Sequence, residues 1–144
     1  MLTVSNLDLF YGDAQALDGV SLEVPARQIV AIVGANGAGK SSLIRSIAGM
    51  ETPAAGRIVF EGRDIAGLAS HEVAALGIGQ VAEGRQIFPT MSVADNLDLG
   101  AISSAARAKA AESLAYVYDR FPRLAERKRQ AAGTLSGGEQ QMLA

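Results

Sequence analysis

Two stretches of this 144-residue chain carry residue types whose spacing could do chemistry. Gly34 to Ser41, GANGAGKS, fits the pattern GxxxxGK[ST]. Glycines there let successive backbone N–H groups turn toward one anion without Cβ clashes, and a helix that follows aims its positive end at the same point. Lys40 would add a mobile point charge able to reach β and γ phosphates, and Ser41 a hydroxyl for Mg²⁺. Ser136-Gly137-Gly138, in TLSGGEQQMLA, is a second small-residue turn leading into a helix. It too is suited to an anion, or else is an ordinary helix cap. A dinucleotide fingerprint does not fit, because GANGAGK lacks the GxGxxG order and no acid follows at the expected strand end.

The elements that must position these residues follow from apolar periodicity. Leu2 and Val4, then Leu7 and Leu9, then Val20, Leu22 and Val24 alternate as half-buried strands do, with a phase slip at Asn6. An antiparallel ribbon over 1 to about 26 is predicted. Ile29 to Val33 is apolar at every position, the pattern of a strand covered on both faces, and is expected to be a central parallel strand. After the glycine loop, KSSLIRSIAGM places Leu43, Ile44, Ile47 and Ala48 on one helical face and ends at Gly49. GRIVFEGRDI returns to strand with Ile58 and Phe60 on one side, Ser70 to Leu76 is predicted as a short helix, and GIGQVA as a strand feeding a loop. From Ser92 the chain turns helical: Ser92 and Asp95 fit a capping box, and Ala110, Leu114, Val117, Tyr118 and Phe121 recur at helical spacing. The alanine-rich stretch Ala101 to Ala111 is expected to be plain helix.

Composition narrows the function. With 49% hydrophobic and 19% charged residues the chain has the make-up of a globular domain. A net charge of −2 offers no overall basic footprint for nucleic acid, so none is expected as a partner. Zero cysteines exclude disulfides and thiolate metal sites. The densest apolar run, Ile29 to Val33, falls far short of the ~18 to 20 residues that a membrane helix needs. His71 is expected at the surface, and Arg120 to Arg129, with five basic residues and one acidic, as a solvated helix face or, less simply, a contact for a membrane partner.

Taken in order, FYGDAQALDGVSLEV, GANGAGKSS, GRIVFEG, EGRQIFPTMSVADNLDLGA and LSGGEQQMLA resemble the ATP-binding subunit of ABC transporters, most nearly the branched-chain amino-acid importer ATPases. The resemblance covers the whole chain. It implies an α/β P-loop NTPase fold with an N-terminal antiparallel β-subdomain and a helical insert. Residues 1–91 would form the β-subdomain and phosphate-loop core, 92–135 the helical insert and 136–144 the start of the signature helix.

The resemblance also implies roles. Tyr11 would stack on adenine, or simply pack on the ribbon; Ala16, Gly34, Asn36, Gly37, Ala38, Gly39, Lys40, Ser41 and Ser42 would hold the nucleotide, ATP with Mg²⁺. Glu83 stands where the family has a glutamine that touches Mg²⁺ and the membrane partner. With Lys40 it is the candidate catalytic residue, and with Ser41 the candidate metal contact; alternatively it faces solvent or pairs with Arg85. Ser136, Gly137 and Gly138 match the signature turn that covers the γ-phosphate held by a second ATP-binding subunit arranged head to tail. Permease subunits would hold the protein on the inner, cytoplasmic face of the cell membrane. The family's later Asp-Glu pair and switch histidine do not occur in these 144 residues. The nucleotide-binding domain is therefore expected to be incomplete at its C-terminus and inactive as an ATPase by itself. Three other readings stay open: an importer of urea or short amides, an ATP-dependent dimerisation module that does not hydrolyse, and an ABC-type repair or translation factor. The last would show a second phosphate loop or basic insertions, and neither is present.

Overall fold

The computed structural model describes residues 1–101 and 104–144, in two compact units, Met1–Gln80 and Val81–Ala144. The first unit is built on a four-stranded antiparallel sheet in the order β2-β1-β3-β4, from β1 (Leu2–Tyr11), β2 (Ala14–Val24), β3 (Ala55–Phe60) and β4 (Arg63–Asp64). Val4, Leu7, Leu9, Leu17 and Ile58 point to one face and are buried. The phase slip in β1 is a real irregularity. Asn6 sits at φ 48°, and the register with β2 shifts between Val4 and Leu7, so that the apolar side chains on both sides of it reach the same core. Ser21 Oγ accepts from the Asn6 N–H at 2.9 Å. Opposite the irregularity β3 offers Gly56, at φ 94°, where a Cβ would run into the carbonyl of Asn6.

Helix α1 (Lys40–Ile47) covers the buried face with Leu43 and Ile47, and α2 (Ser70–Ala75) adds Val73. The end of α1 is closed by two reverse bonds, Gly49 N–H to Ser46 O at 3.1 Å and Met50 N–H to Arg45 O at 2.9 Å. That pairing is the Schellman arrangement expected of a glycine at this place. His71 lies exposed on α2, as expected.

Three expectations for this unit fail. Ile29 to Val33 is not a strand, and Ile29 is 100% exposed. A parallel strand needs a parallel neighbour, and every pairing in this sheet is antiparallel. Residues 77–82 likewise form no strand. On α1, Ile44 is 39% exposed whereas Ser46 is buried, because the face that meets the sheet is centred on Leu43 and Ile47.

The second unit is helical: α3 (Val93–Leu99), α4 (Ser104–Arg107), α5 (Ala110–Arg120), α6 (Pro122–Glu126) and α7 (Gly137–Leu143), with a short 3₁₀ turn at Ala132–Thr134. The Ser92–Asp95 capping box at the start of α3 forms as expected, the Ser92 hydroxyl accepting from Asp95 N–H at 3.1 Å and Asp95 Oδ2 from Ser92 N–H at 3.3 Å. Val93, Leu124, Ala132, Leu135 and Leu143 make the core, with Val117, Tyr118 and Phe121 half-buried against it. Burial pushes the Tyr118 phenol up, and the nearby Asp98 carboxylate adds to the rise. The alanine-rich stretch is not one helix: α4 ends at Arg107, Ala108 and Lys109 turn, and α5 begins afresh. Ile102 and Ser103, which belong to the same expectation, lie outside the described residues. Nor is Arg120 to Arg129 a single helix face. Phe121 breaks the helix at φ −126° and ψ 73°, Pro122 starts α6 as its missing N–H permits, and Arg127 to Arg129 lie in a turn.

Candidate functional site

Within the first unit the structure brings Tyr11, Ala16 and the loop Gly34–Ser42 together. The last glycine of the loop, Gly39, has φ 83°, and a Cβ on it would sit 2.6 Å from the carbonyl oxygen of Ala16 and 2.8 Å from Leu17 Cδ2. So the loop can enter α1 only by pressing bare backbone against the start of β2, which places Ala16 at its edge. Gly37, at φ 84°, faces open space. Ala38 N–H bonds to Ala35 O at 3.2 Å, tightening the loop into a turn. The N–H groups of Asn36, Gly37 and Gly39 have no acceptor among the described residues, and residues 34 to 38 are exposed. The Lys40 ammonium donates to the carbonyls of Gly34 at 2.9 Å and Ala35 at 2.7 Å, folding its charge back over the loop. Tyr11, at the end of β1 and 44% exposed, directs its hydroxyl toward Ser42 Oγ at 3.5 Å.

The start of α1 carries no negative charge of its own, as is also true of the shorter α4 and α6. No side chain caps α1. In contrast, α2, α3 and α7 each carry an acid in the first turn, Glu72, Asp95 and Glu139. The positive end of α1 is left for an outside anion, with Lys40 adding a full charge. This arrangement can grip an oxyanion by backbone amides and one ammonium group.

Ser136, Gly137 and Gly138 lie in the second unit, at the start of α7. The Ser136 hydroxyl accepts from Glu139 N–H at 3.4 Å, and Glu139 Oε2 accepts from Ser136 N–H at 2.9 Å. Arg127 reaches the same Oε2 at 3.4 Å. Bonds from the backbone and side chain of Ser136, then the charges of Arg127 and Arg123, hold the Glu139 carboxyl below its usual range. Arg123 is itself paired with Glu126 at 2.9 Å. Glu83 is exposed in the loop before α3. Among the described residues no three of His, Cys, Asp or Glu gather into a metal cage.

In the second unit the sequence offered Arg85 only as a possible partner of Glu83 and did not single out Gln140. Arg85 Nη1 donates to Gln140 Oε1 at 3.1 Å, and its guanidinium lies against Gly137. Gln140 in turn donates to the carbonyls of Leu135 at 3.2 Å and Gly133 at 3.3 Å. The partners Arg85 and Gln140 are 55 residues apart, so no local pattern announces them.

Residues 17–144 match the family model described as ABC transporter. The high-affinity branched-chain amino acid transport ATP-binding protein BraG of Pseudomonas aeruginosa is 42% identical over 144 residues, all of this chain and 61% of its own length. A phosphate import ATP-binding protein, PstB of Corynebacterium glutamicum, is 37% identical over 99% of this chain and 60% of its own. An ATP-binding cassette of an ABC transporter superposes with a TM-score of 0.87 at 29% identity, over 99% of this chain and 62% of that one. The chain thus spans about three-fifths of the length of these two curated relatives.

Proposed function

The chain belongs to the ABC transporter family, and from that premise we propose that it grips Mg-ATP and serves an importer subunit that hydrolyses ATP to move branched-chain amino acids across a membrane. The observation that carries the nucleotide part is the start of α1: loop amides without an acceptor among the described residues, a helix end without an acid of its own, and Lys40 beside it. Asn36 to Ser42 and Gly34 would wrap the phosphates, Lys40 would neutralise the β and γ charge, and Tyr11 and Ala16 would border the base. Ser41 and Glu83 would contact Mg²⁺. The ion supplies charge neutralisation on the phosphate oxygens. The Ser41 hydroxyl and the Glu83 carboxylate are hard oxygen donors of the kind that such an ion takes alongside phosphate oxygens.

Residues 1–91, 92–135 and 136–144 would act as the β-subdomain with phosphate-loop core, the helical insert and the signature helix. Ser136, Gly137 and Gly138 would meet the γ-phosphate held by a second ATP-binding subunit, head to tail, and permease subunits would dock the assembly on the inner face of the cell membrane. No helix among the described residues is long and apolar enough to cross a membrane. A phosphate importer protein at 37% identity supports a second reading of the cargo.

Titration calorimetry with Mg-ATP tests the grip: binding is expected, and weakening by about tenfold to a hundredfold on Lys40→Ala. No heat from the unaltered protein would overturn the reading. Uptake of labelled leucine against labelled phosphate, in cells with and without the gene, separates the cargoes.

A further inference from the structure

The proposed function does not use Arg85, yet its backbone and its guanidinium are both held by specific contacts. The backbone through it is left-handed at three successive residues, Gly84 at φ 79°, Arg85 at φ 66° and Gln86 at φ 29°. Two of these are not glycine, a conformation that persists only where surrounding contacts fix it. The contacts are at hand. Arg85 Nη1 bonds Gln140 Oε1 at 3.1 Å. A Cβ on Gly137 would lie 3.0 Å from Nη2 and 3.2 Å from Cζ and Nη1, so the guanidinium rests in the space a side chain would fill. Gly138 has nothing within 4 Å of its missing Cβ. Of the two glycines in the turn, therefore, one is shaped to Arg85 and the other faces outward.

We propose that Arg85 is a positioning residue of the Ser136–Gly138 turn. Its planar fork, seated on Gly137 and tied to Gln140, sets the start of α7 in the orientation that meets a second subunit's nucleotide. Arg85 lies two residues from Glu83, so any shift of the 83–86 loop is passed to the turn within the same subunit. A lysine could not reproduce this, since a point charge lacks the flat face and the directed donors. The proposal rests on the reading of Ser136 to Gly138 as a cover for a partner subunit's γ-phosphate, and adds a residue to that site.

The experiment uses the full-length subunit and two readouts, Mg-ATP affinity of the single subunit by calorimetry and ATP-driven association of subunits by sedimentation. Arg85→Met, which keeps the apolar stem and removes the donors, should leave affinity within about twofold and weaken association about tenfold. Gly137→Ala should weaken association similarly, since its methyl group displaces the guanidinium, but should cost less than about twofold when added to Arg85→Ala. Unchanged association in Arg85→Met overturns the proposal. So does an equal Gly137→Ala effect in both backgrounds, or affinity and association falling together, which would mark a general structural role. A subunit that binds Mg-ATP and associates while Arg85→Met does the same removes this inference alone. An unaltered subunit that fails to bind or associate removes the underlying reading as well.

Discussion

The loop that opens α1 and the turn that opens α7 are made of the same materials, small residues ahead of a helix, but they are electrostatically opposite. At α1 there is no acid in the first turn, and Lys40 stands over the loop. At α7 the place an anion would take is partly filled from within: Glu139 accepts from Ser136 N–H at 2.9 Å and is paired with Arg127. Composition alone therefore does not make an anion site. What decides is whether the chain supplies its own negative charge to the helix end. The α7 turn is capped by its own carboxylate, whereas the α1 loop is left open to an outside anion.

Four measurements would break or sharpen this contrast. The largest effect is expected from Gly39→Ala, which puts a methyl group 2.6 Å from Ala16 O in a left-handed backbone. A loss of about 3 kcal/mol in urea unfolding is expected, because the left-handed strain and the backbone clash act together. Gly138→Ala, with open space at the same atom, should stay within about 0.5 kcal/mol. Next comes Lys40→Ala, expected to reduce Mg-ATP affinity by about 2 kcal/mol with little change in unfolding, whereas Glu139→Gln should leave that affinity within twofold. Ser136→Ala should cost about 1 kcal/mol of stability as a lost cap, and no comparable residue exists to lose at α1, where the cap position is Gly39.

The smallest effect is one of pH. The Glu139 carboxyl is held below its usual range in the folded chain, so its contribution to stability is fully present above the unfolded value, near 4.5, and is lost as pH falls through the lower folded value. Unfolding measured between about pH 5 and pH 2 should show this slope in the unaltered protein and a shallower one in Glu139→Gln. An unchanged slope would mean that α7 is not capped by its own acid in solution, and the contrast with α1 would fall.

Much of this was legible from residue spacing. The phase slip at Asn6, the box at Ser92 and Asp95, the stop at Gly49 and the stripe Val117, Tyr118, Phe121 each depend on residues within a few positions of one another, and each formed. The failures share the opposite property. Ile29 to Val33 reads as a buried strand, but a strand exists through its neighbours, and the sheet here pairs antiparallel without it. The outward turn of Ile44 in favour of Ser46 depended on where the sheet surface lay beneath α1.

Of the candidate site, the sequence by itself determined the glycine loop, Lys40, the capping residues and the absence of an acid in the first turn of α1. These are properties of consecutive residues, whose backbone freedom and charge travel with the chain. Only the tertiary structure decided that Gly39 must be bare because Ala16 lies against it, and that Gly137 is bare because Arg85 does. Both contacts join segments distant in the chain. Steric exclusion acts through space, so no reading of local spacing could supply it.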